Sequence, residues 1–201
     1  MLSSLHKKYI FGGRVNKLVG AVANVIPSNV SVLDIGCGSG DISSKLAQEN
    51  NLDLIGVDVL VRESCKISVK KFDGEILPFS NNSFDYCLFV DVLHHVDNIS
   101  TLLKEARRVA RMGIIIKDHK YTTKIQYQKL VFMDWVGNEY IGVRLPYNYL
   151  TWKQWVEVFK DLNLEIKKSF LGLDLYPIPI SLIFPGSLHF LVELRIDETN
   201  R

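Results

Sequence analysis

The stretch Val30-Ser-Val-Leu-Asp34-Ile-Gly36-Cys-Gly38-Ser-Gly40-Asp41 decides the fold. Val30 to Asp34 read as a strand, because a short apolar run ends in a glycine-rich turn. Gly40 and Asp41 open a helix whose Ile42 and Leu46 stand four residues apart. Glycines between a strand and a helix let the backbone approach a ligand closely. The dinucleotide fingerprint G-x-G-x-x-G requires its third glycine at position 41, where this chain has Asp41; its third glycine is Gly40. Asp34 adds a second carboxylate at the strand end. Two carboxylates repel a pyrophosphate and suit a ligand with an ammonium or a sulfonium group. The residues therefore point to a nucleoside ligand whose other end is positive.

Outward from this turn, short apolar runs alternate with helical periodicity, the pattern of an α/β fold with a mainly parallel sheet. Leu52 to Val57 form the next strand, ending at Asp58, and Phe84 to Val92 form a third. Asp97 or Asn98 caps a helix running to about Arg111, with Ile99, Leu102, Leu103, Ala106, Val109 and Ala110 on its apolar face. Gly113 to Ile116 form a buried strand ending at Lys117-Asp118-His119. Lys124 to Val136 read as a helix that is apolar on several sides. Thr151 and Gln154 have the spacing of a capping box, and Trp155, Val158, Phe159 and Leu162 line one face of the helix it opens. Leu164 to Leu171 and Leu188 to Ile196 read as two late strands paired antiparallel.

Composition bounds the rest. The chain has 201 residues, 47% hydrophobic and 23% charged, which suits one globular domain. A net charge of +2 carries no electrostatic footprint for nucleic acid, and no nucleic-acid partner is expected. Three cysteines, Cys37, Cys65 and Cys87, have no paired spacing, so neither a disulfide framework nor a zinc site is expected and a cytoplasmic location is. The most apolar stretch, Leu173 to Leu194, is broken by Pro177, Pro179, Pro185 and Gly186 and reads as core rather than as a transmembrane segment.

Four ordered motifs resemble the class I S-adenosylmethionine-dependent methyltransferases, in the subgroup called methyltransferase type 11. They are Val32-Leu-Asp34-Ile-Gly36-Cys37-Gly38-Ser-Gly40, Gly56-Val-Asp58-Val, Phe72-Asp73-Gly74-Glu75-Ile-Leu77-Pro78-Phe79 running on to Ser83-Phe84-Asp85, and Val90-Asp-Val-Leu93-His94-His95-Val. They cover roughly residues 30 to 119. One glycine turn is weak evidence, but the ordered set is specific. The resemblance implies a Rossmann-like α/β fold: a mostly parallel twisted sheet with helices on both faces and a C-terminal antiparallel hairpin strand. It also implies a single domain over 1–201, divided into an N-terminal cap segment (1–29), a cofactor-binding core (30–119), a substrate-facing insertion (120–162) and C-terminal strands (163–201).

The same resemblance assigns roles. Gly36, Cys37 and Gly38 pass under the methionine part of S-adenosyl-L-methionine, and Asp34 faces its amino group. Asp58 accepts the ribose hydroxyls, and Val59 packs on the adenine. Asp73 accepts from the adenine amine, with the Gly74 backbone nearby. Val90 lies beside the sulfonium, with Asp91 close to it. Asp73 also fits a turn with Gly74, the lesser of its two readings. Asp58 and Asp73 are too close in sequence for the helix and strand the family places between them, so that helix is expected to shrink to a turn. Tyr9-Ile-Phe11-Gly-Gly-Arg14 is expected to close over the cofactor.

His119, His94 and His95, at strand ends, are the candidate general bases, and Asp118 is a candidate substrate contact. His94 and His95 are adjacent and expected to point apart, so no metal site is assigned. Nine aromatic residues fall between Tyr121 and Trp155. Trp155 reads as core, whereas Tyr147 and Tyr149, in the Leu-Pro-Tyr-Asn-Tyr loop, read as substrate contacts. The expected reaction is in-line methyl transfer to a small apolar, aromatic or lipid-like acceptor, yielding S-adenosyl-L-homocysteine. A non-catalytic module that binds the same cofactor and a nicotinamide-dependent oxidoreductase are the rival readings. The acceptor, its reacting atom, the pathway and the oligomeric state are not legible in the sequence.

Overall fold

The structure is a computed structural model that describes residues 12–138 and 145–196. Helix α1 (Gly12–Ala23) leads into β1 (Ser31–Ile35), α2 (Asp41–Asn50), β2 (Asp53–Asp58), β3 (Val69–Lys71) and β4 (Phe84–Val90). A 3₁₀ turn (Leu93–His95) precedes α3 (Ile99–Val109), β5 (Ala110–Tyr121) and α4 (Lys124–Asn138). Then follow β6 (Leu150–Thr151), α5 (Trp152–Asp161), β7 (Leu164–Phe170), α6 (Ile180–Ile183) and β8 (His189–Ile196).

The main path of the sheet is β3-β2-β1-β4-β5-β8-β7, with β6 beside β5. The β3-β2-β1-β4-β5 part is parallel. Strand β8 runs antiparallel to both β5 and β7, as expected for the hairpin. Alternation along each strand divides the core into two layers. Leu33, Cys87, Phe89, Ile114, Ile116, Val192 and Leu194 face one layer with Leu102, Leu103 and Ala106 of α3 and Trp155 and Phe159 of α5. Val32, Leu88, Ile115 and Leu191 face the other, with Val15, Val19 and Val22 of α1 and Leu46 of α2. Helices on both faces of a mostly parallel sheet make this the expected Rossmann-like α/β architecture.

Local signals account for the element ends. Asn98 caps α3 by accepting from the Thr101 N–H at 3.1 Å. Thr151 and Gln154 form the capping box of α5. Two boundaries need correction. Helix α3 stops at Val109, because Ala110 pairs with Phe84 and already belongs to the sheet. Strand β5 is therefore twelve residues long, and Lys117, Asp118 and His119 lie within it rather than at its end. No helix stands between β2 and β3; the chain turns there and returns for the short β3, which apolar periodicity does not reveal. Among the described residues, no helix is long and apolar enough to cross a membrane.

Candidate active site

Strand order reverses at β1, whose neighbours are β2 and β4. Ligands of open α/β sheets bind outside the carboxyl ends of the strands at this switch point. A cleft of about 680 Å³ lies there. Gly36 and Gly38 supply its floor, and Asp58, Val59, Asp73 and Gly74 one wall. Asp91, Val92, His95, Val96, Asn98 and Thr101 supply the other.

The glycine turn has physical reasons for its composition. Gly36 has φ of +76°, and a Cβ there would lie 2.6 Å from Val92 Cγ2. Its N–H donates to the Val57 carbonyl at 2.8 Å, which pins the turn to β2. Asp58 accepts from the Gly38 N–H at 2.8 Å and from the Leu60 N–H at 2.9 Å, so one carboxylate orders both sides of the cleft. One oxygen of Asp73 accepts from the Glu75 and Ile76 N–H groups, each at 2.8 Å. These hydrogen bonds hold its carboxyl below the ordinary range. Asp73 thus makes the turn with Gly74 and lines the cleft as well.

Other expected cofactor residues stand behind the cleft surface. Asp34 is buried on the α2 side of β1 and accepts from the Ser43 hydroxyl. Burial pushes its pKa up to about 7, against the opposing effect of the Ser43 hydrogen bond. Cys37 packs against Gly56, and burial pushes its thiol up, so it is a packing residue. Val90 packs into the apolar layer with α1 and does not line the cleft.

Asp91 is the best-anchored residue of the wall. It adopts φ of +57° and forms ion pairs with Arg14 of α1 and Lys117 of β5. Burial alone would raise its pKa, but the two cations outweigh it and hold the group ionised. Lys117 is fully buried, and that burial lowers its pKa. Sequence reasoning passed over Lys117; its signal is a lysine closing the run Gly113 to Ile116. Arg14 was named only as part of the N-terminal segment, whose Tyr9 to Phe11 lie outside the described residues.

The histidines separate into distinct environments. His94 is buried, with Nδ1 2.6 Å from Asp118 Oδ1 and Nε2 3.8 Å from Asp134 Oδ1. Burial lowers its pKa, but the two carboxylates dominate and raise it to about 10. A group that keeps its proton at neutral pH is poorly suited to the general-base role expected of His94. His119 goes the other way: burial and Lys117 lower it to about 4. It is neutral, but it sits inside the protein and does not line the cleft. Of the three candidates His95 alone lines the cleft.

Asp118 is also an interior residue. It accepts from the Leu93 N–H at 2.9 Å and the His119 N–H at 2.7 Å, so it is no surface for substrate. Tyr149 is buried, stacks on His94 at 5.1 Å between ring centroids, and donates to the Leu130 carbonyl at 3.3 Å. Tyr147 lies against a shallow apolar depression with Tyr127, Val131, Phe132 and Trp135. Neither tyrosine reaches the cleft, because residues 147–149 turn inward: Asn148 N–H donates to the His94 carbonyl at 3.1 Å. The expectation that His94 and His95 point apart is corrected too. Their ring centroids are 4.0 Å apart, and His95 Nε2 lies 3.6 Å from Asp134 Oδ1.

Comparisons with known proteins bear on the family and the fold. Residues 33–116 match the family described as "Methyltransferase domain". A ubiquinone/menaquinone biosynthesis C-methyltransferase UbiE of Rickettsia prowazekii is 38% identical over 41% of this chain and 41% of its own. The Rickettsia felis protein of the same name is 29% identical over 61% and 60%, respectively. A ubiquinone biosynthesis O-methyltransferase of Pelagibacter ubique is 27% identical over 70% and 63%. The first of these relatives are thus matched over about two fifths to three fifths of their length. Among solved structures, a SAM-dependent methyltransferase of Thermotoga maritima superposes with a TM-score of 0.71 at 18% identity, over 97% of this chain and 95% of that one. A Pyrococcus horikoshii protein gives 0.68 at 18%, over 93% and 91%.

Proposed function

We propose that this chain, whose residues 33–116 match the family described as "Methyltransferase domain", transfers a methyl group from S-adenosyl-L-methionine to a small aromatic, quinone-like acceptor. The observation that carries the reading is the meeting of Gly36, Gly38, Asp58, Asp73, Gly74 and Asp91 around one cleft. These residues fit the cofactor. The glycine turn leaves the floor free of side chains, and Asp58 offers carboxylate oxygens where a ribose diol would lie. Acidic residues Asp58, Asp73, Glu75, Asp91 and Asp97 outnumber Arg62 around the cleft, which favours a cationic ligand over a diphosphate.

When bound, S-adenosyl-L-methionine supplies a methyl group already activated by the sulfonium charge. The protein's task is to align the acceptor with that methyl and to exclude water. Positioning of this kind supplies ~7–11 kcal/mol of a barrier in favourable cases. Asp91, held ionised by Lys117 and Arg14, is a fixed part of the cleft wall, its charge offset by those two cations. His95 is the cleft-lining imidazole and the candidate to take a proton from the acceptor, a role worth ~10²–10⁴-fold. The relatives named for ubiquinone and menaquinone biosynthesis favour an aromatic acceptor with an apolar tail.

The test is a methyl-transfer assay with labelled cofactor and a set of hydroxylated aromatic and quinol acceptors. Transfer that collapses in His95→Ala, with cofactor affinity little changed, supports the reading. Cofactor binding without transfer to any acceptor supports a non-catalytic binding module instead.

A further inference from the structure

We propose that His94, His95 and Asp134 form a binding site for a divalent first-row transition cation at the inner end of the cleft. Two of these residues come from the 3₁₀ turn after β4 and the third from α4, so three-dimensional folding brings them together. His94 and Asp134 are buried, and His95 is half-buried and lines the cleft. Their ligand atoms all lie within 4.8 Å of one another. Asp134 Oδ1 is 3.8 Å from His94 Nε2 and 3.6 Å from His95 Nε2. Metal–ligand bonds of about 2.0–2.2 Å in a tetrahedral shell place neighbouring ligand atoms roughly 3.3–3.5 Å apart. The two distances to Asp134 need a contraction of only a few tenths of an ångström, and all three ligand atoms lie within 4.8 Å of one another, within reach of side-chain rotation.

A second observation is independent of these distances. The far nitrogen of His94, Nδ1, lies 2.6 Å from Asp118 Oδ1. Ligating histidines characteristically turn their other ring nitrogen to a carboxylate, which fixes the ring and makes it a stronger donor; the cation takes the place of the second ring proton of His94, which is released on binding. Asp118 is itself fixed by the Leu93 and His119 N–H groups. Those bonds occupy both of its oxygens. The alternative grouping of His94, Asp118 and His119 is therefore the weaker one, although its atoms also lie close together.

Two imidazoles and one carboxylate suit Zn²⁺, Co²⁺ or Fe²⁺ better than Mg²⁺ or Ca²⁺, which prefer all-oxygen shells. Three protein ligands leave coordination positions open. His95 lines the cleft, so an open position there would meet an acceptor oxygen; with the cation bound, His95 is a ligand and not the general base, and the cation itself eases loss of the acceptor's proton. This last step rests on the methyl-transfer reading; the cation site itself does not.

The experiment treats the chain with chelator, removes the chelator, and titrates it with Co²⁺ while following visible absorption and heat. Zn²⁺ is then added as a competitor. The expected result is one equivalent of Co²⁺ with a d–d band, displaced by Zn²⁺. Asp134→Asn and His95→Gln should each weaken binding about tenfold or more. Far-UV circular dichroism and melting temperature verify that each variant is folded; Asp134→Asn keeps the side-chain shape if His95→Gln does not fold. Absence of a band and of heat at large excess overturns the proposal, as does Co²⁺ binding of equal strength in the folded variants. Cofactor affinity is measured separately without metal. Loss of cofactor binding with an intact Co²⁺ band refutes the methyl-transfer reading and leaves the cation site standing.

Discussion

Oδ1 of Asp118 lies 2.6 Å from Nδ1 of His94, and both side chains are buried. The pair ties β5 to the turn after β4, which carries the cleft wall. Removing one partner of a buried charged pair leaves the other uncompensated, at a cost of about 3–5 kcal/mol. Asp118→Ala also deprives the Leu93 N–H of its acceptor. Urea unfolding should show a loss in that range, and a loss below about 1 kcal/mol would mean the pair contributes little.

Asp34 carries a pH dependence of definite sign. Its carboxyl rises from an ordinary value of 3.8 to about 7 because of burial. A raised folded-state pKa stabilises the fold fully below the unfolded value, and that contribution is lost as pH rises through the folded value. Stability from this group should fall between about pH 4 and pH 7, by at most ~1.4 kcal/mol per pH unit. The difference between wild type and Asp34→Asn, measured by denaturant unfolding across that window, should show this slope. Parallel curves would contradict it.

Gly36 occupies a left-handed conformation with Val92 against it. Gly36→Ala should cost about 1–3 kcal/mol in strain and overpacking. Because the strain sits in the floor of the cleft, cofactor affinity should fall tenfold or more in a chain that still folds. Calorimetry on the folded variant measures this, and unchanged affinity would remove the turn from the site.

Thr151 and Gln154 close the capping box of α5, and neither lines the cleft. Thr151→Ala should lower stability by about 1 kcal/mol and leave cofactor affinity unchanged. Matched unfolding and binding measurements separate the two effects.

Much of this architecture was legible in the sequence, because its signals are local. The glycine turn after Val32-Leu-Asp34, the alternating or continuous apolar runs of β4 and β5, and the Thr151 cap each depend on a few adjacent residues. Val69 to Lys71 escaped notice because β3 is an edge strand of three residues, two of them lysines. The interior polar cluster escaped for a different reason. Lys117, Arg14 and Asp134 acquire meaning only from partners far away in the chain, as with Arg14 and Asp91, which lie 77 positions apart. Adjacency misled for His94 and His95, since a 3₁₀ turn brings their rings toward one carboxylate where an extended strand would separate them. Tyr147 and Tyr149 alternate in a loop whose direction is fixed by contacts distant in sequence, among them those of Asn148 with His94 and of Tyr149 with Leu130.

The most direct test of the central claim is isothermal calorimetry of S-adenosyl-L-methionine against the wild-type chain and Asp58→Ala, with NADH as a control ligand. The account predicts one site for S-adenosyl-L-methionine, an affinity about tenfold or more weaker in the variant as its carboxylate hydrogen bonds are lost, and no heat from NADH. Binding of NADH without binding of S-adenosyl-L-methionine, or equal affinity in Asp58→Ala, would contradict it.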